Sequence, residues 1–175
     1  MNQIVEKKDI NLEEGVYLLQ SRLTEEDLQE IMKLDKTFYT DVNYDLQWYI
    51  DRYLYNMGFL LYKKNTLIGY IMAVPIENKL YTAIKDGLFM GDLEINPLLY
   101  SVYKSKNPIY IASALLKKSY RKKGYAQLIM NKIIEEYPNN KMCCIAISKD
   151  GHKLASKYLT LYKELPYNKS VFIKE

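Results

Sequence analysis

The sequence predicts a mixed α/β fold, in which a twisted central sheet of about six to seven strands is flanked by helices. Residues 109–116 and 142–147 are apolar runs of strand length. Between them, apolar residues recur at helical spacing over residues 126–137, and Pro138 stops the helix. Strand, helix and strand in this order predict a right-handed βαβ unit with parallel strands.

The N-terminal part of the chain supplies further elements of the same fold. Residues 15–23 are predicted as the first strand, and Thr24 and Asp27 form a capping-box pattern that opens a helix through Leu34. A second helix is predicted from Leu46, where apolar residues follow at three- and four-residue steps until Gly58. Residues 59–63 and 67–74 are predicted to form a hairpin.

After the βαβ unit, a helix is predicted over residues 155–162 and a last strand over residues 169–173. Before it lies a long connection, residues 76–108, in which residues 78–88 have the pattern of a helix. Connections of this length are usually lids or binding loops when they are not disordered, and this one is too apolar for disorder.

Composition and charge exclude several classes of protein. At 175 residues the chain is predicted to form a single domain, residues 1–175. A formal net charge of +4 suits an anionic ligand, but it is far from the basic stripe of a nucleic-acid-binding domain. Cys143 and Cys144 are adjacent in a predicted strand, so they cannot readily bridge each other, and a reduced compartment is expected. With no signal-peptide core and no run of about 18 apolar residues, we expect a cytoplasmic protein without membrane contact.

The most informative segment is residues 120–126, which read Tyr-Arg-Lys-Lys-Gly-Tyr-Ala between the predicted strand and helix. The first N–H groups of a helix have no intrahelical partner, and the helix dipole adds partial positive charge there, so the main chain can bind a pyrophosphate. Gly124 permits a positive φ and close approach of a ligand, and Ala126 keeps its position small. Positive charge is added by Arg121, Lys122 and Lys123.

The pattern Arg121-x-x-Gly124-x-Ala126 resembles the acetyl-CoA signature of the GNAT superfamily of N-acetyltransferases. Residues 161–167, Leu-Tyr-Lys-Glu-Leu-Pro-Tyr, are similar to the family ending Leu-Tyr-Glu-Lys-x-Gly-Phe, with Pro166 where glycine is usual. The resemblance is firm from residue 109 onward and rests on element order before it. It implies the GNAT fold with a βαβ acetyl-CoA-binding core. It also implies transfer of an acetyl group from acetyl-CoA to a primary amine of a small molecule or peptide, by direct attack on the thioester and without a metal.

The resemblance also implies roles for particular residues. The pantetheine arm would run along residues 109–116, where this strand and residues 142–147 splay apart, and a backbone N–H near Leu116 would polarise the thioester carbonyl. Tyr162 matches the position from which many family members donate a proton to the thiolate, and Tyr158, one turn earlier, is the alternative. A phenol with a pKa of ~10 keeps its proton at neutral pH. The implied acetyl-CoA contacts are Leu115, Leu116, Arg121, Lys122, Lys123, Gly124, Tyr125 and Ala126.

The general base is not identified by sequence. No acidic residue lies within residues 109–116, where some relatives carry one, so deprotonation could pass through water, Asp92 or Glu94. Asp41 and Asp45 precede the second helix and could attract a cationic amine, although Asp45 is equally well placed to cap that helix.

Two other functions are compatible with the same segments. A GNAT-fold sensor would bind acetyl-CoA without turnover. A nucleic-acid module would use the basic residues 117–123, and its binding would depend steeply on salt. The identity of the acceptor amine stays open, as does the oligomeric state, although homodimers are common among similar proteins.

Overall fold

The structure is a computed structural model that describes residues 3–5, 12–40, 44–88 and 106–175. Within these residues the chain forms eight strands and five helices. In chain order they are β1 (Gln3–Val5), β2 (Val16–Arg22), α1 (Glu25–Lys36), α2 (Leu46–Tyr53), β3 (Met57–Lys63), β4 (Thr66–Pro75), α3 (Asn78–Asp86), β5 (Ile109–Leu116), α4 (Tyr125–Glu136), β6 (Met142–Ala146), α5 (Lys149–Ala155), β7 (Thr160–Leu165) and β8 (Lys169–Lys174). The predicted mixed α/β fold is confirmed, and β1 and β7 are two strands that the sequence did not predict.

The chain divides into two compact units, Met1–Met72 with Ser113–Ile133, and Ala73–Ala112 with Ile134–Glu175. In the first unit the strand order is β1-β2-β3-β4-β5, and the first four strands pair antiparallel. The apolar runs of β3 and β4 are continuous, so both faces of these strands are buried. Core residues at most 2% exposed include Phe59, Leu60, Leu61, Ile68, Tyr70 and Ile71. Helix α1 adds Leu28, Ile31 and Leu34 from one face.

In the second unit the strand order is β5-β6-β8-β7. β5 and β6 pair in parallel from Ile109↔Met142 to Ile111↔Cys144, as the βαβ pattern predicts, and β6–β8 and β8–β7 pair antiparallel. Cys143 and Cys144 are both buried and both free thiols. Helix α3 lies within the predicted range 78–88 and ends at Gly87, whose φ of 72° is the left-handed cap that favours glycine.

Two helix starts follow the predicted capping chemistry. The Thr24 side chain accepts a hydrogen bond from the Asp27 N–H at 3.3 Å, and the Asp27 carboxylate accepts one from the Thr24 N–H at 2.9 Å, which completes the capping box. At α2 the Asp45 carboxylate accepts a hydrogen bond from the Trp48 N–H at 2.9 Å. Asp45 is therefore a helix cap.

Helix α2 ends earlier than the prediction that placed its end at Gly58. The helix stops at Tyr53, and the chain turns through Tyr55, whose φ is 64°. Gly58 lies in β3, where a Cβ would collide with the Leu23 side chain. This glycine is needed because two segments pack closely, not because a helix ends there.

The predicted helix over residues 155–162 is wrong. Helix α5 ends at Ala155, a turn follows, and β7 begins at Thr160. Leu154, Tyr158 and Leu161 are spaced as on a helix, but the segment extends to pair with β8, in which Leu161 lies opposite Phe172. Tyr162 is consequently a strand residue.

Candidate functional site

The turn between β5 and α4 is held in place by two hydrogen bonds to neighbouring strands. The Lys117 N–H donates to the Ile68 carbonyl of β4 at 2.9 Å. The Arg121 Nε–H donates to the carbonyl of Leu116, the last residue of β5, at 2.9 Å. Between them the chain makes a single 3₁₀ turn, Lys118–Tyr120. The start of α4 therefore has a defined position relative to the end of β5.

The backbone of this turn has the geometry of an anion-binding loop. Lys122 and Gly124 have φ angles of 62° and 83°, and Lys123 between them has a negative φ. When the sign of φ alternates between neighbouring residues in this way, their N–H groups point toward the same side of the backbone. The first intrahelical bond runs from the Leu128 N–H to the Gly124 carbonyl at 2.9 Å, so the amides of Tyr125 and Ala126 precede it. These amides can bind an anion.

Gly124 is required here for its backbone conformation. A φ of 83° is strained for any residue with a side chain. A Cβ at this position would meet no protein atom within 4 Å. The space above the glycine is open, as close approach of a ligand to the backbone requires.

The three cations of the turn have different surroundings. Arg121 is half-buried, and its guanidinium carbon lies 5.7 Å from the centre of the Phe38 ring, in addition to its bond to Leu116. Lys122 is exposed at the top of the turn. Lys123 forms an ion pair with Glu13, whose other carboxylate oxygen accepts a hydrogen bond from Lys63 at 3.0 Å. Lys123, and then Lys63, lower the pKa of the Glu13 carboxyl.

Tyr125 presents only its main chain to this site. Its side chain is 1% exposed, and its hydroxyl accepts a hydrogen bond from the Glu13 N–H at 3.3 Å. Leu115, at 6% exposure, is likewise a core residue. For these two predicted contact residues, the backbone is the part that can reach a ligand.

Sequence reasoning did not identify Gly69 of β4 as a residue of this site. A Cβ at Gly69 would lie 2.5 Å from Leu116 Cδ1 and 2.9 Å from the Leu115 carbonyl oxygen. Only glycine allows β4 to approach the end of β5 this closely. An isolated glycine inside a strand pattern was the available signal.

A hydrogen-bonded cluster next to β5 was also not predicted. Asp35 of α1 accepts hydrogen bonds from the Tyr49 hydroxyl at 2.7 Å and from the Tyr70 hydroxyl at 2.5 Å. The Tyr70 hydroxyl also lies 3.1 Å from Ser113 Oγ on β5. Burial raises the pKa of Asp35, although both hydroxyl bonds act in the opposite direction. The sequence did contain one sign of this cluster: Asp35 lies four residues after the buried Ile31, which places a carboxylate on the buried face of α1.

The second unit contains the tyrosines predicted as general acids. Tyr162, on β7, is 49% exposed, and its ring lies 4.9 Å from Lys85 Nζ of α3. Tyr158 lies in the turn after α5, where its N–H donates to the Ala155 carbonyl at 3.0 Å, and burial raises the pKa of its half-buried phenol. The loss of the predicted helix removes the argument that these two residues share one helical face.

The other candidate carboxylates have different outcomes. Asp45 caps α2, while Asp41, Asp92, Glu94 and most of the second half of the 76–108 connection lie outside the described residues. In the part of the chain that the structure describes, no three His, Cys, Asp or Glu side chains are grouped as a metal site requires. No helix among the described elements is long and apolar enough to cross a membrane.

Comparison with known families agrees with the strand, basic turn and helix at the centre of this site. The sequence profile of the acetyltransferase (GNAT) family matches residues 25–157, a span that includes α1, β5 and α4. The chain belongs to the GNAT acetyltransferase family. Among curated protein sequences, none matches this one.

Solved structures of the family share its fold. Arabidopsis thaliana NAA60 in complex with acetyl-CoA is 13% identical, with a TM-score of 0.65 over 90% of this chain and 98% of that one. Arabidopsis thaliana Naa50 in complex with the bisubstrate analogue CoA-Ac-MVNAL is 14% identical, with a TM-score of 0.61 over 92% and 99%. An N-acetyltransferase from Staphylococcus aureus Mu50 is 17% identical, with a TM-score of 0.59 over 89% and 99%. The predicted GNAT fold is confirmed.

Proposed function

We propose that the protein is an N-acetyltransferase that moves the acetyl group of acetyl-CoA to a primary amine of a small molecule or peptide. The observation that carries the proposal is the turn at Lys122 and Gly124, in a chain whose family is shown. Its alternating backbone and the amides at the start of α4 suit the pyrophosphate of coenzyme A. Solved relatives in complex with acetyl-CoA and with a CoA-peptide analogue support the choice of donor and of an amine acceptor.

Acetyl-CoA would supply an activated thioester. In direct transfer the amine nitrogen forms a C–N bond to the acetyl carbon, the C–S bond breaks, and the sulfur leaves as a thiol once it gains a proton. The chain's residues would bind and orient the donor. The amides of Lys123 to Ala126 and the exposed Lys122 would hold the pyrophosphate, and the β5 backbone near Leu116 would bind the pantetheine arm and the thioester carbonyl.

A tyrosine of the second unit is proposed as the proton donor to the thiolate. Tyr162 and Tyr158 both remain candidates, since a phenol keeps its proton at neutral pH. Tyr158 is half-buried, and burial raises its pKa. Tyr162 is half exposed beside Lys85. Replacing each tyrosine by phenylalanine separates them, because only the loss of the true donor should lower kcat.

The donor site is tested by thermal unfolding in the presence of acetyl-CoA. Stabilisation should grow with the logarithm of ligand concentration, reaching about 2.7 kcal/mol at a hundredfold excess over Kd. Gly124→Ala should raise the Kd for acetyl-CoA at least about tenfold, because the backbone leaves the left-handed region or the new methyl group enters the ligand's space. Calorimetric titration measures this Kd.

A matched control is Gly15→Ala, which imposes the same kind of strain outside the turn, at a φ of 76°. It should destabilise the fold to a similar extent and leave the Kd for acetyl-CoA unchanged. Equal effects of the two variants on binding would contradict the assignment of the turn.

Transfer itself is tested by thiol release with a panel of amines: an aminoglycoside, a polyamine, an amino acid and the peptide Met-Val-Asn-Ala-Leu. Turnover with any of them supports the enzyme. Stabilisation by acetyl-CoA without thiol release from any amine would instead indicate a sensor. Binding to DNA or RNA that falls steeply with salt and is not competed by coenzyme A would indicate a nucleic-acid module.

A further inference from the structure

In the cluster around Asp35, the chemistry of the groups determines which one donates in each hydrogen bond. A carboxylate can only accept, so the hydroxyl hydrogens of Tyr49 and Tyr70 both point at Asp35, over 2.7 and 2.5 Å. A phenol has one hydrogen, and that of Tyr70 is committed. The 3.1 Å contact between Tyr70 and Ser113 is therefore made by the Ser113 hydroxyl donating to the Tyr70 oxygen. The chain of donors runs from Ser113 through Tyr70 to Asp35.

This direction determines what Ser113 can offer a ligand. With its hydrogen given to Tyr70, the Ser113 oxygen keeps lone pairs that can accept a hydrogen bond. Ser113 is half-buried on β5, the same strand as Leu116. Tyr70 is 1% exposed and Asp35 is half-buried. Ser113 is thus one end of a connected path that leads through the buried Tyr70 to a carboxylate.

Charged and titratable groups surround this path from several elements. Tyr49 of α2 and Tyr70 of β4 contact Asp35 directly. Tyr39, which follows α1, has its pKa raised by burial and then by Asp35, while Arg121 lowers it. The hydrogen bonds to the Asp35 carboxylate within the described part of the chain come from the hydroxyls of Tyr49 and Tyr70.

We propose that Ser113, Tyr70 and Asp35 form the proton relay that deprotonates the acceptor amine. The inference rests on the proposed function, for which it supplies a base from α1 where β5 itself carries no acidic residue. Ser113 contacts the amine, directly or through one water molecule. Tyr70 and Asp35 act through Ser113.

The relay conserves protons at every step. The ammonium group of the acceptor gives one proton to Ser113 Oγ, Ser113 gives its own to Tyr70 Oη, and Tyr70 gives its own to Asp35 Oδ1. The amine becomes neutral and can attack the thioester, and Asp35 becomes a neutral acid. Burial, which raises the pKa of Asp35, favours this last transfer.

The kinetic test compares pH profiles of kcat/KM with acetyl-CoA and Met-Val-Asn-Ala-Leu, or the panel amine with the highest turnover. At pH 7, Asp35→Asn, Tyr70→Phe and Ser113→Ala should each lower kcat/KM by about 100-fold, as expected when general base catalysis is lost. The double variant of Asp35→Asn and Tyr70→Phe should lose no more than either single variant, because both act in one path.

The dependence of the defect on pH distinguishes the relay from a structural role. A peptide α-amine has a pKa of about 8, so solution supplies the free amine above that pH. With the peptide, the loss of activity should therefore shrink as pH rises from 7 to 9, and with another panel amine it should shrink as pH rises through the pKa of that amine. Tyr62→Phe is the control, since it removes a half-buried phenol stacked on Tyr17 in the same unit and should leave the profile unchanged.

A measurement without catalysis addresses the same path. Carbon-13 NMR of the Asp35 carboxyl in the ligand-free protein should show a raised pKa, and Tyr70→Phe should raise it further because a donor to the carboxylate is lost. Circular dichroism and stabilisation by acetyl-CoA establish that each variant is folded and binds donor.

The outcomes separate this inference from the proposed function. Folded, acetyl-CoA-binding Asp35→Asn protein with the activity and pH profile of the wild type would overturn the relay and leave the transferase intact. A defect that is equal below and above the pKa of the acceptor amine would also overturn it. Wild-type protein without turnover on any amine would overturn both.

Discussion

Asp35 is a carboxylate placed where its charge is costly. It sits on the buried side of α1, and the two phenols that donate to it compensate only part of the lost hydration, so its pKa is raised. Perturbed pKa values of this kind cluster at functional sites. Gly124 differs, since glycine adopts its φ of 83° without strain, whereas a residue with a side chain would be strained there, and no protein atom lies within 4 Å of an added Cβ.

The raised pKa of Asp35 predicts a pH-dependent gain in stability for Asp35→Asn. Because the folded-state pKa lies above the unfolded value of 3.8, the wild type is stabilised by the neutral carboxyl below that pH and loses this stability as pH rises through the folded-state pKa. The free energy of unfolding of Asp35→Asn relative to wild type should therefore increase as pH rises from 4 to 7. Urea unfolding at a series of pH values measures the difference. A difference in free energy of unfolding that stays constant or falls with pH would contradict this prediction. For the control Tyr62→Phe, this difference should not change with pH.

At the scale of elements, the site depends on how closely β4 approaches the end of β5. Gly69 permits that approach, and the Lys117 N–H bond to Ile68 maintains it. The turn that follows β5 is attached to the end of this strand by the hydrogen bond from the Arg121 Nε–H to the Leu116 carbonyl. Packing between two strands therefore sets the placement of the amides at the start of α4.

Gly69→Ala should damage stability and donor binding together. A methyl group 2.5 Å from Leu116 Cδ1 and 2.9 Å from the Leu115 carbonyl oxygen forces the end of β5 to move. We expect a loss of about 1–3 kcal/mol in the free energy of unfolding, as for overpacked cores, and a several-fold higher Kd for acetyl-CoA. Thermal unfolding and calorimetric titration measure the two effects.

Thr24→Ala serves as the comparison for Gly69→Ala. It removes the N-cap of α1 at a cost of about 1 kcal/mol, without touching β4 or β5. Its Kd for acetyl-CoA should match that of the wild type. Loss of donor binding in this variant too would mean that stability alone controls the site.

The elements that sequence predicted correctly are those with local signals. The capping box at Thr24, the hairpin between β3 and β4, and the turn around Gly124 each depend on neighbours in the chain. The helix expected over residues 155–162 failed because apolar residues at helical spacing were overridden by pairing with β8. The hydrogen-bonded cluster of Asp35 could not be predicted, because its members are far apart in the sequence. Tyr49 and Tyr70 lie 14 and 35 positions from Asp35, and Ser113 lies 43 positions from Tyr70.

On the scale of the whole molecule, the described acid-base pairs tie distant parts of each unit together. In the first unit Glu13 pairs with Lys63 and Lys123. In the second unit Glu175 pairs with Lys85 of α3 at 2.5 Å and with Lys141, which precedes β6, at 2.7 Å. These pairs are partly exposed to solvent, so each adds little to stability at neutral pH, and the ionisation of Glu13 and Glu175 makes that contribution depend on pH.

Glu175→Gln should remove a small part of the stability above about pH 4.5 and leave the stability near pH 2 unchanged. The Lys141 and Lys85 ammonium groups lower the pKa of the Glu175 carboxyl to about 2. This depressed pKa contributes stability above the ordinary value of 4.5, and the contribution is lost as pH falls from about 4.5 to about 2. The variant should have a slightly lower Tm than wild type at pH 7, and the two should converge near pH 2. Calorimetric melting across this range checks the convergence, and a gap that widens in acid would refute it.

The single hydrogen of the Tyr70 phenol has a consequence for repeated turnover. Once a proton has travelled inward, every bond in the path points the other way, from Asp35 toward Ser113. The path cannot accept a second proton until the first escapes to solvent and the hydroxyls rotate back. Each cycle therefore includes a resetting step, which should be sensitive to heavy water, and the half-buried position of Asp35 leaves an exit for that proton.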